Sequence, residues 1–140
     1  MKKVLFVCLG NICRSPMAEY VFKEIVRKEG KDKNFQIASA ATSTEEIGSD
    51  MHYGTKEILE RYNIPYKKHI ARQLKKEDYN KYDYIIGMDS SNVRGILRII
   101  GEDNQNKVHK LLEFVNEDKD IADPWYTGCL LYTSDAADEL

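Results

Sequence analysis

Lys3-Val4-Leu5-Phe6-Val7-Cys8-Leu9-Gly10-Asn11-Ile12-Cys13-Arg14-Ser15-Pro16 decides how this chain is read. Lys3–Val7 is a continuous β-branched and apolar run, which predicts a buried strand. Ser15-Pro16 opens a helix through about Glu29, with Ser15 or a neighbour as N-cap and Pro16 at its first position. Met17, Tyr20, Val21, Ile25 and Val26 form the inward stripe of that helix, and Gly30 ends it. A strand, a short loop and a helix start, in that order, place the Cys8 sulfur at the floor of a ring of backbone N–H groups. That floor lies at the positive end of a helix, where an anion is stabilised.

The pattern repeats along the chain. Phe35–Ser39 alternates into a second strand, followed by a polar loop at Thr42–Gly48. A second helix is expected from about Met51 to Tyr62, stopped by Asn63-Ile64-Pro65. His69–Leu74 reads as a connector and Tyr84–Met88 as a buried strand. Asp89-Ser90-Ser91-Asn92 caps a helix to Ile100, and Val108–Leu112 is the last expected strand. Strands alternating with helices indicate an α/β fold with a parallel sheet between helical layers. Ligands of such sheets bind beyond the carboxyl ends of the strands, where Cys8 lies.

Composition narrows the function. The 140 residues suit one domain, and a chain of that length buries roughly two-thirds of its extended surface without metal or disulfide staples. A net charge of −2 gives no broad electrostatic argument for nucleic acid. No apolar run approaches the roughly 20 residues of a membrane span. Met1–Leu9 is not read as a signal peptide, because its apolar part is short and the polar loop with Arg14 interrupts it. A cytoplasmic protein is expected, and three cysteines there argue against a disulfide framework. Lys23, Lys28, Lys31 and the group Lys75-Lys76-Glu77-Asp78 read as solvated faces, and Tyr79, Tyr82 and Tyr84 as packing or surface residues.

Cleaving a phosphate ester with a thiol needs a thiolate, a grip on the phosphoryl oxygens and an acid for the leaving oxygen. Helix-terminal amides, the Ser15 hydroxyl and Arg14 supply the first two. Five residues between Cys8 and Arg14 let the loop curl until sulfur and guanidinium face one anion. Arg14 binds two oxygens bidentately, which a lysine does poorly. Gly10 is expected to supply unusual backbone geometry or close approach, and Asn11 to hold the loop shape with its amide. Asp123-Pro124-Trp125-Tyr126 offers an acid on a rigid turn beside two aromatic rings.

The run Cys-Leu-Gly-Asn-Ile-Cys-Arg-Ser-Pro-Met-Ala-Glu from Cys8 to Glu19 closely resembles the signature of low-molecular-weight protein tyrosine phosphatases. Asp123-Pro124-Trp125-Tyr126 resembles that family's general-acid loop, with Trp125 standing where a tyrosine is usual. Ser39–Ser43, His69–Gln73 and Met88–Asn92 resemble further family segments, so the likeness covers about residues 1–128. It implies a single-domain, three-layer αβα fold with a four-stranded parallel sheet in the order 2-1-3-4. The phosphate-binding loop then joins strand 1 to helix 1. It implies Cys8 as nucleophile, Arg14 as phosphoryl ligand and Asp123 as acid and then base. Leu9, Gly10, Asn11, Ile12, Cys13 and Ser15 would cradle the phosphate. Ser39 and His69 would hydrogen-bond the loop through Asn11, Asp89 would help order the acid loop, and Trp125 and Tyr126 would wall the cleft.

No metal or other cofactor is implied. The expected partner is a phosphotyrosine protein or an aryl phosphate, with no nucleic acid and no membrane, the chain acting as a monomer or weak dimer. Ile12 favours phosphotyrosine, because relatives acting on phosphoarginine tend to carry threonine there. A protein arginine phosphatase and a weakly catalytic phosphate-binding or phosphocysteine carrier are the alternatives. Glu45 stands where some relatives place a substrate-facing aromatic, and Cys13 would be a resolving thiol under oxidation.

From Cys129 the likeness stops. Residues 129–140, Cys-Leu-Leu-Tyr-Thr-Ser-Asp-Ala-Ala-Asp-Glu-Leu, read like the translation of a transposase sequencing adapter. They are therefore set apart from the domain at 1–128 as a non-native tail in place of the family's final helix. Lowered stability or self-association is expected from that loss.

Overall fold

The computed structural model describes residues 1–115. The elements run β1 (Lys2–Cys8), α1 (Arg14–Lys28), β2 (Phe35–Ala41), α2 (Tyr53–Arg61), α3 (Asp78–Lys81), β3 (Tyr84–Gly87), α4 (Ser90–Ile100) and β4 (Val108–Lys110). Short 3-10 turns precede β2 at Asp32–Asn34 and follow β4 at Leu111–Val115. The four strands form one sheet in the order β2-β1-β3-β4, with every pairing parallel. The expected architecture and strand order are therefore present.

β1 is the axis of the sheet. It pairs along its whole length with β2, from Lys2 opposite Phe35 to Cys8 opposite Ala41, and with β3 from Val4 opposite Tyr84 to Val7 opposite Gly87. Val4 to Val7 are wholly buried, as a strand covered on both faces requires. The two-residue period sends Val4, Phe6 and Cys8 to the face packed by α1 and α2. Leu5 and Val7 go to the opposite face, against Ile96 and Ile100 of α4. Three layers result, and the alternation itself decides that the Cys8 sulfur leaves the strand on the α1 side.

Differences from the sequence reading lie at ends and caps. α1 is capped at Cys13, not Ser15, and no side chain makes the capping bond. The Ser15 hydroxyl is turned instead to the Cys8 sulfur. The inward stripe of α1 also includes Phe22, which is fully buried between Phe6 and Phe35 in edge-to-face contacts. Ile25 is only partly buried. β4 stops at Lys110, and Leu111 and Leu112 turn into the core on the α1 side. The group Lys75-Lys76-Glu77-Asp78 is not simply a solvated face. Asp78 is buried, accepts the Lys75 N–H at 2.8 Å and pairs with Arg72 at 3.0 Å, which nucleates α3.

One close approach fixes α4 over the end of β2. A Cβ added to Gly95 would lie 2.9 Å from Thr42 Cγ2 and 3.1 Å from its Cβ. Thr42 is held, its N–H bonded to the Cys8 carbonyl at 3.0 Å. Gly95→Ala therefore gains about 1 kcal/mol of helix propensity and loses more, about 1–3 kcal/mol, to overpacking. Urea titration is expected to show net destabilisation; an unchanged or higher midpoint refutes the contact.

Candidate active site

Cys8 ends β1 at the carboxyl edge of the sheet, buried. Its sulfur lies 3.0 Å from Ser15 Oγ and receives the Asn11 backbone N–H at 3.2 Å. Ser15 Oγ in turn accepts from Asn11 Nδ2 at 2.8 Å, and its own proton faces the sulfur at 3.0 Å and, less closely, the Ala40 carbonyl at 3.5 Å. Two donors thus converge on one buried sulfur at the start of α1. That arrangement stabilises an anionic sulfur and gives it no base to lean on.

The loop from Leu9 to Cys13 is clamped from outside. The Leu9 carbonyl accepts from Ser43 N–H at 3.0 Å, and the Ile12 carbonyl accepts from His52 N–H at 2.9 Å. The Cys13 carbonyl receives the first bond of α1, from Met17 N–H at 3.2 Å. Gly10 is not the residue that bends the loop. A Cβ there would find only ordinary contacts, the nearest being Glu46 Cγ at 3.5 Å. The left-handed position belongs to Asn11, at φ 58°. Asparagine tolerates that region because its short amide makes local hydrogen bonds.

Asn11 is the hub of the site. Fully buried, it gives its side-chain amide to Ser15, and its Oδ1 accepts from the Arg72 N–H at 3.3 Å. His69 Nε2 lies 2.6 Å from the Asn11 carbonyl and 3.1 Å from its Oδ1. Both partners are acceptors, so Nε2 carries the proton. His69 is thus placed against Asn11, as the family resemblance implies. Ser39 is not: its hydroxyl donates to Glu19 Oε1, buried under α1. Glu19 also pairs with Lys23, at 2.6 Å.

Behind His69 stands Asp50, which the sequence reading missed. Asp50 Oδ1 accepts the N–H groups of His69 and Met51, and Oδ2 holds Lys56 Nζ at 2.7 Å. The Lys56 ammonium, helped by those two amides and opposed by burial, lowers its pKa from 3.8 to about 2. A lowered folded-state value contributes stability above the ordinary carboxylate range and loses it as pH falls. The gap in melting temperature between the native chain and Asp50→Asn is therefore expected to be full above about pH 4 and to close toward pH 2. A gap independent of pH refutes the assignment.

Arg14, the first residue of α1, sends Nη1 to Asp89 Oδ2 at 2.6 Å, with side chains 18% and 19% exposed. The other carboxylate oxygen, Asp89 Oδ1, caps α4 through the Asn92 N–H at 2.7 Å. Asp89 thereby ties the guanidinium to the neighbouring strand end. Cys13 is partly exposed, and neither it nor Cys8 is in a disulfide. Exposed apolar side chains (Leu9, Ile47 and Tyr53) lie on the loop and on the two segments that clamp it. Asp123, Trp125, Tyr126 and the tail from Cys129 lie outside the described residues.

A three-layer α/β fold with a thiol-centred anion loop at the head of its central strand is the class so defined. The family described as low molecular weight phosphotyrosine protein phosphatase matches residues 3–135. The low molecular weight protein-tyrosine-phosphatase YfkJ of Bacillus subtilis is 44% identical over 131 residues, covering 91% of this chain and 83% of that protein. The human low molecular weight phosphotyrosine protein phosphatase is 45% identical, covering 89% and 80%. The crystal structure of YfkJ superposes with a TM-score of 0.89 at 38% identity, over 99% of this chain and 91% of that one. The chain belongs to the low molecular weight phosphotyrosine protein phosphatase family. Among the described residues no helix is long and apolar enough to cross a membrane.

Proposed function

We propose that the chain hydrolyses phosphotyrosine in proteins, and aryl phosphates, through a phosphocysteine at Cys8. The observation that carries this reading is the buried sulfur between the Asn11 N–H and the Ser15 hydroxyl, at 3.2 and 3.0 Å. Cys8 Sγ attacks phosphorus, the S–P bond forms and the P–O bond to the phenol breaks. Arg14 and the loop amides hold the equatorial oxygens as charge shifts to the leaving group. Asp123 gives its proton to the phenolic oxygen. It then takes one from the water that attacks phosphorus, and the S–P bond breaks to return the thiolate and free phosphate. Leu9, Gly10, Ile12 and Cys13 contribute backbone to the cradle, and Trp125 and Tyr126 wall the ring. The chain acts in the cytoplasm as a monomer or weak dimer.

Kinetics on phosphotyrosine and phosphoarginine peptides side by side, for the native chain and Asp123→Asn, test the reading. The native chain is expected to prefer phosphotyrosine. Asp123→Asn is expected to lower kcat on phosphotyrosine by about 100-fold and less on para-nitrophenyl phosphate, whose leaving group needs less protonation. Preference for phosphoarginine, or equal losses on both aryl substrates, overturns it.

A further inference from the structure

The outer face of α2 carries three side chains to which the reaction above gives no role. Tyr53, Glu57 and Arg61 stand at four-residue intervals, so they follow one another along that face, about 6 Å apart along the axis. Together with Gly54 and Ile58 they line a cleft of about 290 Å³. Gly54 and Ile58 are buried and form its floor, while the three rim residues are exposed, Tyr53 by 69%. Glu57 precedes Arg61 by four positions, the order in which opposite charges on a helix attract best. On α1 comparable spacings are closed, Lys23 on Glu19 and Arg27 on Glu24, each at 2.6 Å. Among the described residues Glu57 and Arg61 make no ion pair, and both line the cleft instead.

The cleft begins beside the catalytic loop. His52, the N-cap of α2, gives its N–H to the Ile12 carbonyl at 2.9 Å, and the Tyr53 ring stacks on the His52 imidazole at 4.5 Å. A protein chain leaving the phosphate site on this side therefore meets Tyr53 first, Glu57 next and Arg61 last. The first two suit a cation: a carboxylate stands beside an aromatic ring, over an apolar floor that takes the methylene stem of a lysine or arginine. Arg61 suits a carboxylate, which a guanidinium binds through two N–H groups. One step of about 6 Å along the helix matches about two residues of extended chain. We propose that this cleft docks the segment flanking phosphotyrosine in a protein substrate, and that it selects a basic residue followed, two residues further out, by an acidic one. The proposal rests on the reading of Cys8 and its loop as a phosphotyrosine site, and adds a preference among the proteins that site accepts. The groove holds the flanking chain and not the reacting atoms, so its effect falls on KM.

The test measures kcat and KM on synthetic phosphotyrosine peptides for the native chain and the double variant Glu57→Arg/Arg61→Glu. One series carries lysine about two to five residues from the phosphotyrosine and glutamate two residues beyond it. A second series exchanges the two charges, and each is made on the amino and on the carboxyl side of the phosphotyrosine. The native chain is expected to favour the inner-lysine peptides by about fivefold in KM in at least one register. That preference is expected to vanish in about 1 M salt, where charges are screened within about 3 Å. The double variant, altered only at exposed positions, is expected to melt with the native chain and to favour the exchanged series. No preference in any register, a preference that survives salt, or one that the double variant keeps overturns the proposal. A native dimer that the double variant dissolves, without any charge-order preference, assigns the cleft to a second copy and overturns it too. Para-nitrophenyl phosphate has no flanking chain and separates the two readings. Its turnover by a native chain blind to charge order refutes the docking cleft alone. No turnover of it by the native chain refutes the phosphatase reading, and this proposal with it.

Discussion

Cys8→Ser is expected to abolish turnover of phosphotyrosine and para-nitrophenyl phosphate, by on the order of 10^4-fold or more in kcat. The size follows from what surrounds the sulfur. Both groups bonded to it, the Asn11 N–H and the Ser15 hydroxyl, are donors. Donors stabilise a negative charge on the attacking atom, which a sulfur carries far more readily than a serine oxygen, but they do not take a proton from a serine hydroxyl. The nearby histidine does not fill that gap, because His69 Nε2 carries its proton toward two oxygens of Asn11. A serine at position 8 is therefore a neutral alcohol in a site built for an anion. The phosphate-binding groups remain, so the variant is expected to bind inorganic phosphate and to melt close to the native chain. Residual turnover within tenfold of native would show that another group performs the attack.

Arg14→Lys is expected to lower kcat/KM for phosphotyrosine peptides by roughly 10^3-fold. Lysine keeps the charge and still reaches toward Asp89, so the fold and the cap of α4 stay in place. What it loses is the planar fork that meets two phosphoryl oxygens at once and follows them as the P–O bond stretches. The loss is therefore expected in both kcat and the affinity for phosphate. A loss below tenfold would mean that a point charge suffices and that the amides of the loop carry the transition state.

Much of this was legible in residue order. The apolar run before Cys8, with a helix start after Arg14, specifies a strand, a tight loop and an anion site without reference to anything distant. The alternation of strands and helices likewise points to a parallel sheet with helices on both faces. What the order of residues conceals is which side chains meet. Asn11 and His69 are separated by 58 positions and Arg14 and Asp89 by 75, and no local period records such pairs. Family resemblance supplied the first of them. It misplaced Ser39, whose hydroxyl finds Glu19 because a buried carboxylate on α1 accepts more strongly than a neutral amide. Gly10 invites the assumption that the loop turns on a glycine. The turn falls one residue later, on an asparagine whose amide is engaged in the same bend. Asp50 and Asp78 look like solvent-facing charge in a polar stretch, yet Asp50 accepts two backbone N–H groups and Asp78 accepts one and pairs with Arg72, so that both fix the connector that braces the loop.

The position of β1 has a consequence for how this molecule fails. Its residues Val4–Val7 are paired with a strand on both sides and buried on both faces, which is the arrangement of the last part of a domain to open. The nucleophile is the final residue of that strand, and the loop beyond it is bonded to the segment that follows β2, to the connector at His69 and to the start of α2. Such a site has no melting of its own. Heat or denaturant will remove catalysis and the sheet in one step, so mutations that loosen the core will appear in cells as less enzyme rather than as slower enzyme.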